Sequence, residues 1–381
     1  MKVLSEKELQ KKYAGSKRAS VMLLEDYRLK LPTRVIPLNH QLGGGLPSGR
    51  IMELIGMEST GKTLLTLDFA FVTQELGGVV LWDDAERVWD NSWAKKSGIR
   101  LDQIEVLEEE AVEVVSDWMK DQILYLRSSV LKNNEPILLV IDSLAGLDTM
   151  AALEIEQSTQ KATMGNRAKE IYNMYRKRNS FFSKYGVHVI VINQLRDKVG
   201  AGMYEDNTTT PGGNSTKFYA SIREMIARGK QIKGIWKGEK FKALDVSENS
   251  SKGIKIGQNV YLRNLKNKTA APGDVLATQV YFKDYMYGYV GYNRYMGLDS
   301  ILVEKSIIQK KGGNIYYRDS LIAKSEAGFV TLMHEDEDIR RKLIRKSGIN
   351  TISQARSFLE GLSKNYYPVK GAKFSEDDSD S

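Results

Sequence analysis

The sequence predicts an α/β fold: a mostly parallel central sheet flanked by helices, preceded by a basic helical segment and followed by a small α+β domain. Three observations carry this expectation. Short apolar runs rich in β-branched residues alternate with helical stretches from residue 35 to about 268, the pattern of strands joined by helical crossovers. The run Gly56-Met57-Glu58-Ser59-Thr60-Gly61-Lys62-Thr63 fits the pattern G-x-x-x-x-G-K-[ST]. It follows the apolar run Ile51-Met52-Glu53-Leu54-Ile55 and opens onto Leu64, Leu65, Leu67, Phe69, Ala70, Phe71 and Val72, a strand–loop–helix context.

Taken in order, residues 1–34 form a basic segment with Leu4, Leu9, Val21, Leu23 and Leu24 as its apolar positions, and Pro32 separates it from the core. The core spans 35–269, with strands at 51–55, 79–83, 137–141 and 187–192. Residues 222–228 and 259–266 continue the sheet, antiparallel at one edge. Between them 229–257 is rich in Gly, Lys and Ser and reads as a mobile insertion or a hairpin. After Pro272 the style changes and Tyr becomes frequent. A C-terminal α+β domain is expected over 270–367, with a strand at 275–282 and helices at 296–310 and 335–347 flanking a β-like piece at 314–318. The last segment, 368–381, carries Glu376, Asp377, Asp378 and Asp380 among serines and is expected to be disordered. It is either a solubility tail or a competitor for the chain's own basic surface.

With 381 residues, the chain can bury one large core and a smaller domain. No apolar run reaches membrane-spanning length, and the basic start lacks the apolar stretch of a signal peptide. The absence of cysteine excludes disulfides and thiolate metal sites, and three histidines make a zinc site a poor expectation. A cytoplasmic protein is the simplest account. The formal charge of +8 points to a polyanionic partner.

The loop residue types carry phosphate chemistry. Gly56 and Gly61 let backbone N–H groups converge on phosphate oxygens at a helix start. Lys62 would reach the β- and γ-phosphates of a nucleoside triphosphate and Thr63 would bind Mg²⁺. Asp142 ends the apolar run Ile137-Leu138-Leu139-Val140-Ile141 and would hold the metal. Asp84 and Glu86 follow the run Val79-Val80-Leu81-Trp82; either could activate water near the γ-phosphate. Gln194 ends a further strand, as a γ-phosphate sensor or a strand-end cap.

The order of these pieces resembles the RecA family of bacterial and phage DNA recombinases. The matching runs include Gly45-Leu46-Pro47-Ser48-Gly49-Arg50-Ile51, the phosphate loop with Glu58-Ser59, and Asp84-Ala85-Glu86. Further on come Val140-Ile141-Asp142-Ser143, Ile192-Asn193-Gln194, Thr208-Thr209-Thr210 and Gly212-Gly213-Asn214. Lys217-Phe218-Tyr219-Ala220-Ser221-Ile222-Arg223 and Lys266-Asn267-Lys268-Thr269-Ala270-Ala271-Pro272 complete the series. The resemblance covers about 35–300 clearly and implies a RecA-like phosphate-loop ATPase core with ATP and Mg²⁺ as cofactors. It implies Glu86 as the general base, Gln194 as the sensor, and Gly56, Glu58, Ser59, Thr60, Gly61, Lys62 and Thr63 as the nucleotide loop, with Asp142 and Ser143 on the metal side. Trp93 stands where the family usually stacks a Tyr on adenine. Asp90 would contact adenine or cap the next helix. Lys266 and Lys268 would reach ATP bound to a neighbouring subunit.

Two segments, 154–169 and 195–215, suit single-stranded DNA. Gly212, Gly213 and Asn214 could offer amides to phosphates, and Met164, Val199 and Tyr204 could wedge against bases. Arg176, Arg196 and Lys198 would add contacts that weaken with salt. Some positions depart from the family: Lys169 replaces an Arg, Asp197 an apolar residue, Pro211 is inserted, and 229–257 is longer than usual. The resemblance implies a DNA-dependent ATPase that forms helical filaments on single-stranded DNA, with residues 1–34 as its oligomerisation segment, and exchanges strands with homologous duplex. A ring helicase on the same core, or a non-catalytic DNA-coating mediator clamped by ATP, are the rivals.

Overall fold

The computed structural model describes residues 28–131, 134–154, 160–197, 208–209, 211, 215–237, 240–243, 253–284 and 287–361. The basic segment up to residue 27 and the acidic tail therefore lie outside the described residues. The chain enters through β1 (Lys30–Leu31), which pairs antiparallel with β2 (Leu46–Pro47). The central strands are β3 (Ile51–Gly56), β4 (Val79–Asp83), β5 (Ile104–Leu107), β6 (Ile137–Ile141) and β7 (Val187–Gln194). Two short strands, β8 (Arg196–Asp197) and β9 (Thr208–Thr209), pair with each other. The sheet continues through β10 (Ile222–Lys237), β11 (Lys240–Ala243), β12 (Ile254–Asn267), β13 (Val275–Tyr281) and β14 (Gly291–Tyr292).

Ten described strands make one sheet in the order β14-β13-β12-β10-β3-β7-β6-β4-β5, with β11 paired to β10. From β10 to β5 every pairing is parallel. From β10 to β14 every pairing is antiparallel. The apolar strands alternate residue by residue between two cores, as a period of two requires. Ile51, Leu81, Leu139, Ile141, Val189 and Val191 face one core, closed by helices Val112–Tyr125 and Gln160–Tyr185 through Val115, Met119, Ile123, Ile171, Met174 and Phe182. Met52, Leu54, Val80, Trp82, Val140, Ile190 and Ile192 face the other, closed by helix Lys62–Glu75 through Leu65, Leu67, Phe69 and Val72. Because both faces are covered, the runs carry almost no polar residues.

One sequence expectation narrows and another changes. The stretch 229–257 is a hairpin in its described part: β10 and β12 stay paired from Ile222↔Asn267 out to Gly234↔Ile254, with three register shifts on the way. The strand expected in the C-terminal domain is β13, and it pairs with β12 from Arg263↔Val275 to Gly257↔Tyr281. The central sheet therefore runs on to Tyr292, past the boundary expected near 270. A long antiparallel partner offers β13 a complete ladder and a buried face at Thr278 and Val280, which no local pattern announces.

Beyond Tyr292 lies a compact module. Helix Leu298–Glu304 is shorter than the expected 296–310, because the chain turns into β15 (Gln309–Lys311), β16 (Asn314–Tyr317) and β17 (Ser320–Ala323), a three-stranded antiparallel sheet. Helix Glu326–Glu335 starts at Ser325, whose hydroxyl accepts from the Gly328 amide, and helix Glu337–Ser347 starts at Asp336, whose carboxylate accepts from the Ile339 amide. Leu298, Leu302, Ile315, Phe329, Met333 and Leu343 form its core. A final helix, Ile352–Gly361, returns to the main body: Ala355 joins the large core, and Arg356 donates to the Glu75 carbonyl at 3.0 Å. No helix among the described residues is long and apolar enough to cross a membrane.

Candidate nucleotide site and DNA-facing loops

The site lies where β3, β4, β6 and β7 end. The loop after β3 needs left-handed backbone at Ser59 (φ 56°) and Gly61 (φ 98°), and Gly61 meets that need without a steric penalty. At Gly56 a side chain is impossible, since a Cβ there would stand 2.5 Å from the Ile226 carbonyl oxygen. Thr60 Oγ1 donates to the Met57 carbonyl at 3.0 Å. Lys62 Nζ donates to the carbonyls of Gly56 (3.0 Å) and Met57 (2.8 Å). Burial lowers the Lys62 pKa, while Asp142, Glu86 and Glu58 pull it back up.

Two observations fit a triphosphate with its Mg²⁺. Helix Lys62–Glu75 begins with no side-chain cap and no acid in its first turn, so its first amides are free for an anion. Across from it, Thr63 Oγ1 donates to Asp142 Oδ2 at 3.0 Å. Burial pushes Asp142 up to about 7; the Thr63 hydroxyl and Lys62 lower it, and Glu86 and Asp84 raise it further. A buried carboxyl this poorly compensated is suited to a divalent cation.

Asp84 and Glu86 have different surroundings. Asp84 is buried and accepts from the amides of Val88 (3.1 Å) and Trp89 (2.7 Å), so both its oxygens hold the following turn. Glu86 is exposed, and its Oε1 accepts from Gln194 Nε2 at 2.9 Å and from the Ser143 hydroxyl. Ser143, next to Asp142 in the chain, thus has Glu86 as its partner. The Asp142–Ser143 peptide is cis. Gln194 arrives here because the parallel register sets it opposite Gly56. Asp90 Oδ1 accepts from the amides of Ser92 (2.7 Å) and Trp93 (3.1 Å) as the N-cap of helix Asn91–Lys96, which holds Trp93 half-buried.

The sequence profile of the RecA N-terminal domain family matches residues 4–287. The "Protein RecA" of Leptospira biflexa is 35% identical over 316 residues, covering 82% of this chain and 72% of the relative. That of Tropheryma whipplei is 33% identical over 334 residues, covering 86% and 69%. That of Chloroherpeton thalassium is 32% identical over 331 residues, covering 86% and 83%.

The chain belongs to the RecA family.

In this RecA chain, Lys266 and Lys268 stand apart from the loop. Lys266 pairs with Arg223 across β10 and β12, and Lys268 N donates to the Ser221 carbonyl. Gln258 of the same strand reaches the loop at the Ser59 carbonyl, 3.1 Å away. Lys266 itself is level with Arg223 and Glu53, two strands from β3 and about 10 Å before Gly56 along the strand direction. Its ammonium donates to the carbonyls of Lys217 (2.7 Å) and Phe218 (3.3 Å), and burial, Lys268 and Arg223 lower its pKa against Glu53. Within one RecA chain the Lys266 ammonium is thus held by Lys217 and Phe218, and that of Lys62 by Gly56 and Met57.

Of the DNA-facing candidates, Lys169 and Arg176 are exposed with Tyr172 on helix Gln160–Tyr185. That helix is anchored by Arg167, which donates to the carbonyls of Leu144 (2.9 Å) and Ala145 (2.8 Å). Arg196 pairs through its backbone with Thr209. The Met164 side chain and residues Lys198, Val199, Tyr204, Gly212, Gly213 and Asn214 lie outside what is described. One network escaped the sequence reading. Glu53, wholly buried in β3, accepts from Arg223 Nε (2.6 Å) and Asn193 Nδ2 (2.9 Å), and Asn193 also donates to the Pro211 carbonyl at 3.1 Å. The available signal was a lone acid inside an apolar run.

Proposed function

We propose that this RecA recombinase binds ATP and Mg²⁺ at Gly56–Thr63, polymerises on single-stranded DNA, and pairs the coated strand with homologous duplex. Lys62 and the first helix amides hold phosphate, and Thr63 and Asp142 hold the metal, which would neutralise charge on the β- and γ-phosphates. Glu86 accepts a proton from the attacking water. Gln194, shared between Glu86 and the γ-phosphate position, reports the triphosphate to the segment after β7, while Trp93 and Asp90 form the adenine side. Lys266 and Lys268 complete the site on the next subunit, so the triphosphate acts as a joint between subunits. Hydrolysis then resets the filament. Met164, Lys169, Arg176, Arg196, Lys198, Val199, Tyr204 and Gly212–Asn214 contact DNA in this reading, and a DNA substrate places the protein in the cytoplasm.

The observation that supports the reading most is the meeting of Glu86, Gln194 and Ser143 at the rim of the phosphate loop. The test measures ATP hydrolysis with and without single-stranded DNA, and strand exchange, for wild type, Lys62→Ala and Glu86→Ala. Wild type should show DNA-stimulated turnover and exchange. Lys62→Ala should lose both. Glu86→Ala should bind DNA in ATP while turnover falls by about 10²–10⁴-fold. Absence of DNA stimulation and of exchange in wild type sinks the recombinase reading. Normal hydrolysis by Glu86→Ala removes Glu86 as the base.

A further inference from the structure

Both left-handed residues of the phosphate loop have their carbonyl groups held from behind by side chains of the antiparallel edge. Gln258 Nε2, from β12, donates to the Ser59 carbonyl at 3.1 Å. Tyr292 Oη, from β14, donates to the Gly61 carbonyl at 3.2 Å, beside the Leu65 amide that reaches the same oxygen at 3.0 Å as the first bond of the helix. Gln258 is 3% exposed and Tyr292 2%, so neither donor has solvent as an alternative and each bond is enforced. Gly61 permits the approach, since a Cβ there would stand 2.9 Å from Tyr292 Oη. Burial, with Glu224 and Asp68 nearby, raises the Tyr292 pKa, so the phenol stays a donor.

The consequence follows from peptide geometry. In a planar trans peptide the C=O and the next N–H point in opposite directions. The peptides Ser59–Thr60 and Gly61–Lys62 are both trans. Holding the Ser59 carbonyl against the sheet edge therefore aims the Thr60 amide away from it, and holding the Gly61 carbonyl does the same for the Lys62 amide. These are amides of the anion-binding concavity at the helix start.

We propose that Tyr292 and Gln258 are positioning residues that hold the phosphate loop in its anion-receiving shape by fixing the Gly61 and Ser59 carbonyls. They act through the backbone and do not touch the nucleotide. This rests on the ATP reading. Tyr292 is also the last residue of the central sheet. Directly after it, Asn293 Oδ1 accepts from the amides of Tyr295 and Met296 at 3.1 Å, where the C-terminal module begins. The loop is thus braced by the strand that carries that module.

The test is equilibrium binding of fluorescent AMP, ADP and ATP with Mg²⁺ to full-length wild type, Tyr292→Phe, Gln258→Met and the double variant, beside Lys62→Ala. Unfolding midpoints are recorded without nucleotide. Tyr292→Phe keeps the ring and removes one donor, so ADP and ATP should bind about fivefold more weakly. The double variant should lose at least an order of magnitude for ADP and ATP, with AMP affinity unchanged and only the small drop in nucleotide-free midpoint that two lost hydrogen bonds cause. Wild-type ADP affinity in both single variants overturns the inference. So does an equal loss for AMP with a lowered midpoint, which would mean a packing role alone. If wild type binds ADP and ATP no better than Lys62→Ala, the ATP reading itself fails.

Discussion

Asp83 shows the conflict between charge and burial most sharply. It ends β4 with no exposed surface, and neither of its oxygens completes a hydrogen bond among the described residues. Burial, then Asp84, Glu109 and Asp142, push its carboxyl up to about 8, opposed by the approaching Glu109 amide. The sign of the effect follows. Between the ordinary carboxylate range and pH 8 the folded protein holds a proton that the unfolded chain has released, so stability falls as pH rises across that interval. Asp83→Asn removes this penalty. Its unfolding midpoint in denaturant should match wild type near pH 4 and exceed it near pH 8, by on the order of 2 kcal/mol. Parallel pH profiles for the two proteins would rule this out. At the same scale, the competition between Asp84 and Glu86 is open in the sequence because both follow an apolar run. Three-dimensional placement separates them: one carboxylate meets two turn amides, and the other meets Gln194 and Ser143.

At the scale of elements, β3, β7 and β10 are joined by packing and by the Glu53 network. Removing Arg223 leaves Glu53 buried with Asn193 as its remaining partner. Arg223→Met should therefore cost about 3–5 kcal/mol, while Glu53→Met with Arg223→Met should cost far less than the sum of the two single changes. Chemical denaturation of the four proteins reads this directly, and simple additivity would refute the coupling. Strands β3, β4, β6 and β7 are legible in the sequence because burial on both faces leaves unbroken apolar runs. Helix Glu326–Glu335 is not, because Gly328 and Thr331 dilute its pattern and two of its apolar side chains, Phe329 and Met333, find their partners in the separate C-terminal core. The 275–282 strand is legible as a strand, but its sheet is chosen by β12.

At the scale of the whole molecule, the phosphate loop follows the C-terminal end of β3, and Lys266 sits two strands away, level with Glu53, a separation that suits a head-to-tail assembly. Two variants should then complement each other. Lys62→Ala alone and Lys268→Ala alone should both be inactive. Mixed in equal amounts they should recover about a quarter of wild-type ATPase, since random neighbours give one intact interface in four. No recovery in the mixture, with each variant still binding DNA, would place the lysines outside the shared site. The sequence by itself determined the family, the loop, and the strand-end acids and amide. These are local: each depends on residue type and spacing within a few positions of the chain. The tertiary structure alone decided which carboxylate faces Gln194, which sheet β13 joins, and that Gln258 and Tyr292 reach Ser59 and Gly61 from about 200 residues away. Such contacts depend on register and packing between distant strands, and no periodicity along the chain encodes them.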